Sequence, residues 1–253
     1  MKKLKVEFIS DTKEMLEVLE RPYPAIQKLP DWFSNMPSYL GGRKSVDTFN
    51  DPTSTIKKCM PVFDAMTTGY HIPLTSDVWI ENGGEKNINI RWSWDDIQIV
   101  DLQKQEQAQN YPVPIGYYPT VFKWINPWIV KTPPGWSSLF IHPMHYDDLP
   151  FKCFPAIVDT DKYPTPVHFP FFLKKDACDL IPKGTPIIQV IPFKRQDVIS
   201  SFSYDYGFFK QQWVKAHSVF FDRYGKFFRS PKKYEQGVVK SKCPFAFLTK
   251  KNK

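Results

Sequence analysis

Residues 131–195 read KTPPGWSSLFIHPMHYDDLPFKCFPAIVDTDKYPTPVHFPFFLKKDACDLIPKGTPIIQVIPFKR, and this stretch decides the fold. It holds three turn-marked units: Pro133-Pro134-Gly135, Val158-Asp159-Thr160-Asp161-Lys162-Tyr163, and Pro182-Lys183-Gly184-Thr185-Pro186. An apolar, strand-like run follows each of them. Proline presets φ for a turn and glycine takes positive φ without steric cost, so the three units read as corners between strands. The β-branched run Ile187-Ile188-Gln189-Val190-Ile191, bounded by Pro186 and Pro192, reads as a short buried strand.

Working outward, composition supports a folded, β-rich chain. Hydrophobic residues at 42% and aromatic residues at 16% exclude global disorder. With 24 prolines against 11 glycines, short elements joined by turns are expected rather than long helices. No apolar run approaches the ~18 residues that span a bilayer, and acids interrupt the N-terminal segment before any signal core forms. Cys59, Cys153, Cys178 and Cys243 are scattered without a CxxC pair, so reduced thiols and a cytoplasmic setting are expected. The net charge of +8 sits in residues 222–253, where ten Lys/Arg face only Asp222 and Glu235. Such a basic end suits an acidic protein surface or nucleic acid.

Upstream, Lys3–Ile9 alternates as an opening strand, and Asp11-Thr12 caps a short helix through about Glu20. Arg21–Tyr39 is a Pro-rich arm with aromatic anchors and one helical turn from Asp31. Thr55–Thr68 reads as a helix with Pro61 in its first turns and Gly69 as its stop. Tyr70–Trp94 carries a hairpin around Asn82-Gly83-Gly84, with Ile88, Ile90 and Trp92 alternating against polar neighbours. Asp95–Gln109 is polar and Gln-rich, as an exposed loop would be, and Tyr117–Val130 is strand-like. Downstream, Phe209, Trp213, Ala216, Phe220, Tyr224 and Phe227 recur at helical spacing, predicting an amphipathic helix over about 205–229. Such a helix would dock on the β body or on a neighbouring subunit. The expected organisation is one globular β-rich domain over 1–230, with its core at about 70–200, and a mobile basic tail at 231–253.

The order PPG, V-D-x-D-x-Y and K-G-x-P-I-x-Q-x-I-x-x-x-R resembles the dUTPase and dCTP deaminase superfamily, in which a PPG turn, an I-D-x-D-Y motif and a K-G-D-R-I-A-Q-L strand follow one another. The whole chain also resembles a family of phage and bacterial proteins sharing the PPGWS, VDTD-x-Y and PKGTP patterns, and that second resemblance implies no activity. The first resemblance implies a dUTPase-like β-clip core with a few peripheral helices. It also implies a trimer with sites built between subunits. Carried over by residue, it makes Asp159 the carboxylate that orients the attacking water, with Asp161 beside it, Tyr163 the aromatic against the base, and Gln189 the ligand-binding glutamine of the third motif. The chain departs from the superfamily where a P-R-S-S phosphate-binding segment is expected. His142-Pro143-Met144-His145 stands there, and the charge-stabilising Arg and Ser are lost.

His142, His145 and His168, with nearby Asp147, Asp148, Asp159 and Asp161, form a second candidate set, suited in ligand type to a divalent metal. Pro143 between the first two histidines favours a turn over a helix that would bring both onto one face. The many tryptophans read mainly as core, and Ser137-Ser138 lies in no G-x-S-x-G elbow, so a serine hydrolase is not indicated. Together these features point to a phage-associated binding or assembly protein without intact dUTPase chemistry, located in the host cytoplasm. The alternative is a divergent metal-dependent enzyme acting on a nucleotide or small polar substrate, with a divalent metal beside Asp159, Asp161 and Tyr163.

Overall fold

The computed structural model describes residues 4–42, 54–94, 97–217, 224 and 227–230. The basic segment 231–253 and the helical positions 218–223 that the spacing predicts lie outside the described residues. The chain falls into two compact units, one of Met1–Ala25 with Gly69–Gln196 and one of Ile26–Thr68 with Asp197–Lys253. Elements in chain order are β1 (Glu7–Ile9), α1 (Lys13–Val18), β2 (Tyr23–Pro24), α2 (Asp31–Asn35), α3 (Met60–Thr67), β3 (Tyr70–Pro73), β4 (Val78–Asn82) and β5 (Ile88–Trp92). There follow β6 (Val100–Leu102), β7 (Tyr117–Trp124), β8 (Ile129–Lys131), β9 (Trp136–Ile141), β10 (Phe151–Cys153) and β11 (Ala156–Val158). The last are β12 (Phe169–Lys174), β13 (Asp179–Ile181), β14 (Pro186–Lys194) and α4 (Tyr206–His217). Among the described residues the protein is therefore mainly β, with four antiparallel sheets.

The first unit contains all four sheets: β11-β9-β14-β3-β2, β10-β12-β7-β6, β13-β4-β5 and the pair β1-β8. One apolar core joins the two larger ones. Phe140 of β9 stacks on Phe169 of β12 with centroids 5.7 Å apart, and the Cys153 thiol of β10 donates to the Ile187 carbonyl of β14 at 3.2 Å. Within the four-stranded sheet Trp124, Phe151 and Phe171 form a fully buried aromatic group, with Trp124 stacked on Phe171 at 4.4 Å. Such pairs add to the burial of their area and fix ring orientation. The predicted hairpin is β4–β5. Val78 and Ile80 point inward and Trp79 and Glu81 outward, the alternation that antiparallel pairing with one wet face requires.

Two sequence expectations are corrected here. The strand expected between Pro186 and Pro192 runs on to Lys194 and includes both prolines. β3 pairs with β14 only as far as Val190, so Pro192 sits where just one neighbour, β9, remains. A proline is tolerated there because one side of the strand demands no donor. The polar segment expected to be a loop after Asp95 contains β6, anchored by buried Ile99 and Val100 and paired with β7. Two apolar residues in a Gln-rich context suffice because β7 supplies a ready edge.

Local signals place the connecting pieces. The Thr12 hydroxyl accepts from the Met15 amide at 3.1 Å and caps α1. Gly69 ends α3 at φ +75°, where a Cβ would collide with the Val190 carbonyl of the central strand.

The second unit is small. Phe33, Met60, Phe63 and Met66 form its buried cluster. The Lys57 ammonium donates to the Ser34 and Met36 carbonyls, satisfying the end of α2. Arg229 reaches Asp64 of α3 with both donors, at 2.7 and 3.1 Å. The helix expected over 205–229 is described as α4, and none of its residues is buried.

Candidate functional site

Two of the corners read from the sequence, the Pro-Pro-Gly turn and the turn after β11, meet the last residues of β14 at one end of β9 and β14. Gly135 closes the Pro-Pro-Gly turn at φ +83°, with the Trp136 amide bonded back to the Pro133 carbonyl. After β11 the chain turns at Asp159, whose carbonyl accepts from the amides of Lys162 and Tyr163, both at 2.9 Å. Pairing of β11 with β9 sets Val158 against Ser138 and so brings this turn over the start of β9. Arg195 follows the last residue of β14, and its amide donates to the Gly135 carbonyl at 2.8 Å.

The side chains then interlock. Arg195 donates to both oxygens of Asp161, at 2.9 and 2.5 Å, and the Gly135 amide donates to Asp161 Oδ2 at 2.7 Å. The Ser137 hydroxyl donates to Asp159 Oδ1 at 2.6 Å, and Arg195 approaches the same oxygen at 3.1 Å. Arg195 also donates to the Trp136 carbonyl and the Ser137 hydroxyl. Beneath this layer lies a buried hydroxyl chain in which Thr160 contacts Thr132 at 2.8 Å and Ser138 at 2.9 Å. The Asp161 side chain is 5% exposed, while that of Asp159 is 52% exposed. Hydrogen bonds from Arg195, helped by the Gly135 amide, hold the Asp161 carboxyl down at about 2. The Ser137 hydroxyl lowers Asp159 first, with the Arg195 charge adding to it. The same carboxylates raise Arg195.

Chemically this is an arginine fork closed on a carboxylate. Asp161 is an anion with its oxygens already engaged, poorly placed to take a proton from water. Asp159 is the freer group, and it borders a shallow, open depression of about 480 Å³ lined also by Ile157, Val158, Lys162, Tyr163 and Pro164. Tyr163 stands half-exposed on its rim.

The other residues singled out from the sequence lie elsewhere. Gln189 pairs with Ile141 at the far end of the same ladder, six residues from Arg195, or about 20 Å along an extended strand. It is fully buried and its Oε1 accepts from the Met144 amide at 3.0 Å, which pins the His142–Tyr146 turn. In that turn the Cys153 amide donates to His142 Nδ1 at 3.4 Å, Nε2 lies 3.2 Å from the Tyr146 carbonyl, and burial lowers the ring's pKa. His145 takes φ +64°. His168 accepts from the Asn126 amide at 3.2 Å, and its pKa is lowered mainly by burial, with Lys123 adding to it. Among the described residues no three His, Cys, Asp or Glu side chains form a group able to hold a metal ion.

Asp159 and Asp161 are thus brought together with each other. Gln189 and His142 are not brought to them. Arg195 and Ser137 complete the cluster without having been singled out. The signal for Arg195 was its position closing the K-G-x-P-I-x-Q-x-I-x-x-x-R pattern. Ser137 stood one residue beyond the Gly-Trp of the turn. No helix among the described residues is long and apolar enough to cross a membrane. No family model matches the chain, and no curated protein matches it.

Proposed function

We propose that the protein is a phage-associated binding or assembly protein on a dUTPase-like β-clip body, without nucleotide hydrolysis. One observation carries this reading: Asp161 is closed by Arg195 and the Gly135 amide, so the carboxylate of the V-D-x-D-x-Y motif serves as a clamp between two corners and the end of β14. A water-activating base needs a free lone pair aimed at its substrate. Transfer of a phosphoryl group further needs cationic or N–H donors at the phosphate. Here Arg195 is spent on carboxylates, and the His142-Pro143-Met144-His145 turn is tied to Gln189 and Cys153. Asp159 borders a depression open to solvent, which suits a surface contact better than an enclosed small molecule.

The metal-dependent enzyme reading draws on Asp159 alone, which keeps one oxygen less engaged beside Lys162 and Tyr163. A thermal-shift screen with dUTP, dCTP and the common ribonucleotides, with and without Mg²⁺, separates the two. A ligand at a hundredfold excess over Kd stabilises by about 2.7 kcal/mol. The expected result is no shift. A shift requiring both nucleotide and Mg²⁺, and lost in Asp159→Asn, would establish the enzyme instead.

A further inference from the structure

Residues 196–211 form an unbroken run of exposed positions that leads into α4 and makes up its first half. Ile199, Phe202 and Tyr204 are more than nine-tenths exposed, and Tyr206, Phe208, Phe209 and Trp213 are 54–63% exposed. At about 200 Å² per aromatic side chain, the six aromatics alone present roughly 850 Å² of surface. The largest apolar patch on an ordinary monomer is about 300–600 Å². One face of a stable protein–protein interface covers about 800 Å². Summed along the segment, the exposed aromatic area matches what one face of a dimer interface covers.

The helix itself needs a partner. Asp205 caps it, accepting from the Phe208 amide at 2.8 Å. A helix without tertiary burial is only marginally stable in water, and none of the described residues of α4 is buried. Lys215 lies over the Phe227 and Phe228 rings. The remainder, with Tyr206, Phe209 and Trp213 on one stripe, has no buried residue.

We infer that the segment Asp197–His217 is a dimerisation arm whose occupant is the same segment of a second copy of this chain, α4 packing on α4 about a twofold axis. Charge favours self-association over a polyanion. The segment carries two acids, Asp197 and Asp205, and two bases, Lys210 and Lys215, so two copies meet without repulsion and no cationic patch is offered. In an antiparallel pair, the acidic start of each helix lies at the basic end of the other, which the helix dipoles also favour. Each copy presents the same residues, as an isologous interface requires. This inference deepens the assembly reading.

Sedimentation velocity of the full chain tests it, in a buffer free of nucleotide and metal, so its outcome is separate from that of the nucleotide screen. The wild type should sediment as a dimer that persists in high salt, because the contact is apolar. Phe209→Ser with Trp213→Ser should weaken association by more than about tenfold while the β-sheet circular dichroism is retained. Phe202→Ser, in the coil before the helix, should weaken it without touching helix formation. A wild type that stays monomeric to about 100 µM, or a dimer indifferent to both variants, would overturn the inference. So would a dimer that dissociates in salt, or a monomer that sediments with phosphatidylglycerol vesicles.

Discussion

Replacing Gly69 by alanine tests how closely the backbone at Gly69 approaches the central strand. The residue sits at φ +75°, a region that costs an L-amino acid about 1–2 kcal/mol. An added Cβ would also meet the Val190 carbonyl head-on, with the Val190 carbonyl carbon at 3.0 Å and Ile191 Cα at 3.2 Å. These are backbone atoms of β14, paired on both sides at Val190, so they cannot swing away as a side chain would. Overpacking of this kind costs about 1–3 kcal/mol more. The sum is roughly 2–5 kcal/mol, and each kcal/mol lowers Tm by about 2–4 °C in a domain of this size. Gly184→Ala is the matched comparison: its φ is +81°, but nothing lies within 4 Å of the added Cβ, so only the backbone cost applies. Urea or thermal denaturation followed by circular dichroism should show the Gly69 variant clearly the less stable. Equal losses in the two variants would refute the close approach.

Asn126→Ala should cost about 2–4 kcal/mol in urea denaturation, since the buried amide donates to the Trp128 and Val167 carbonyls and accepts from the Trp128 amide. Acid should act in two windows. His142 and His168 have folded pKa values below the ordinary 6.5, so their contribution is whole above that pH and is lost as pH falls below it. Asp161, lowered from 3.8 to about 2, contributes fully above 3.8 and loses that contribution as pH falls toward 2. Urea midpoints measured across pH should therefore fall in both windows. His142→Gln should flatten the upper one and Arg195→Met the lower one.

Much of the β architecture was legible from local chemistry. Pro-Pro-Gly, Asn82-Gly83-Gly84 and Pro182-Lys183-Gly184 each mark a corner because their backbone needs leave few alternatives. The Thr12 cap and the Gly69 stop were legible for the same reason. β6 was not, since it exists through pairing with β7, and no local period announces a three-residue strand beside a partner distant in sequence. The reach of β14 past Pro192 was hidden because it depends on which neighbours flank the strand. In the candidate site, the V-D-x-D-x-Y motif pointed to Asp159 and Asp161, which lie in one hydrogen-bonded cluster. What closes on them could not be read, because Arg195 is 34 residues from Asp161 and arrives only through the β9–β14 register. The exposed face of α4 has the same lesson. Its period is visible, but the period does not say what covers it.

A double-mutant cycle on Asp161 and Arg195, read by thermal unfolding without ligand, goes most directly to whether these carboxylates serve structure. Asp161→Asn and Arg195→Met should each lower Tm. The double variant should be far less destabilised than the two losses added, because either single change already breaks the Asp161–Arg195 fork. Should Asp161→Asn prove as stable as the wild type, the clamp is not structural, and the carboxylate is held for some other task.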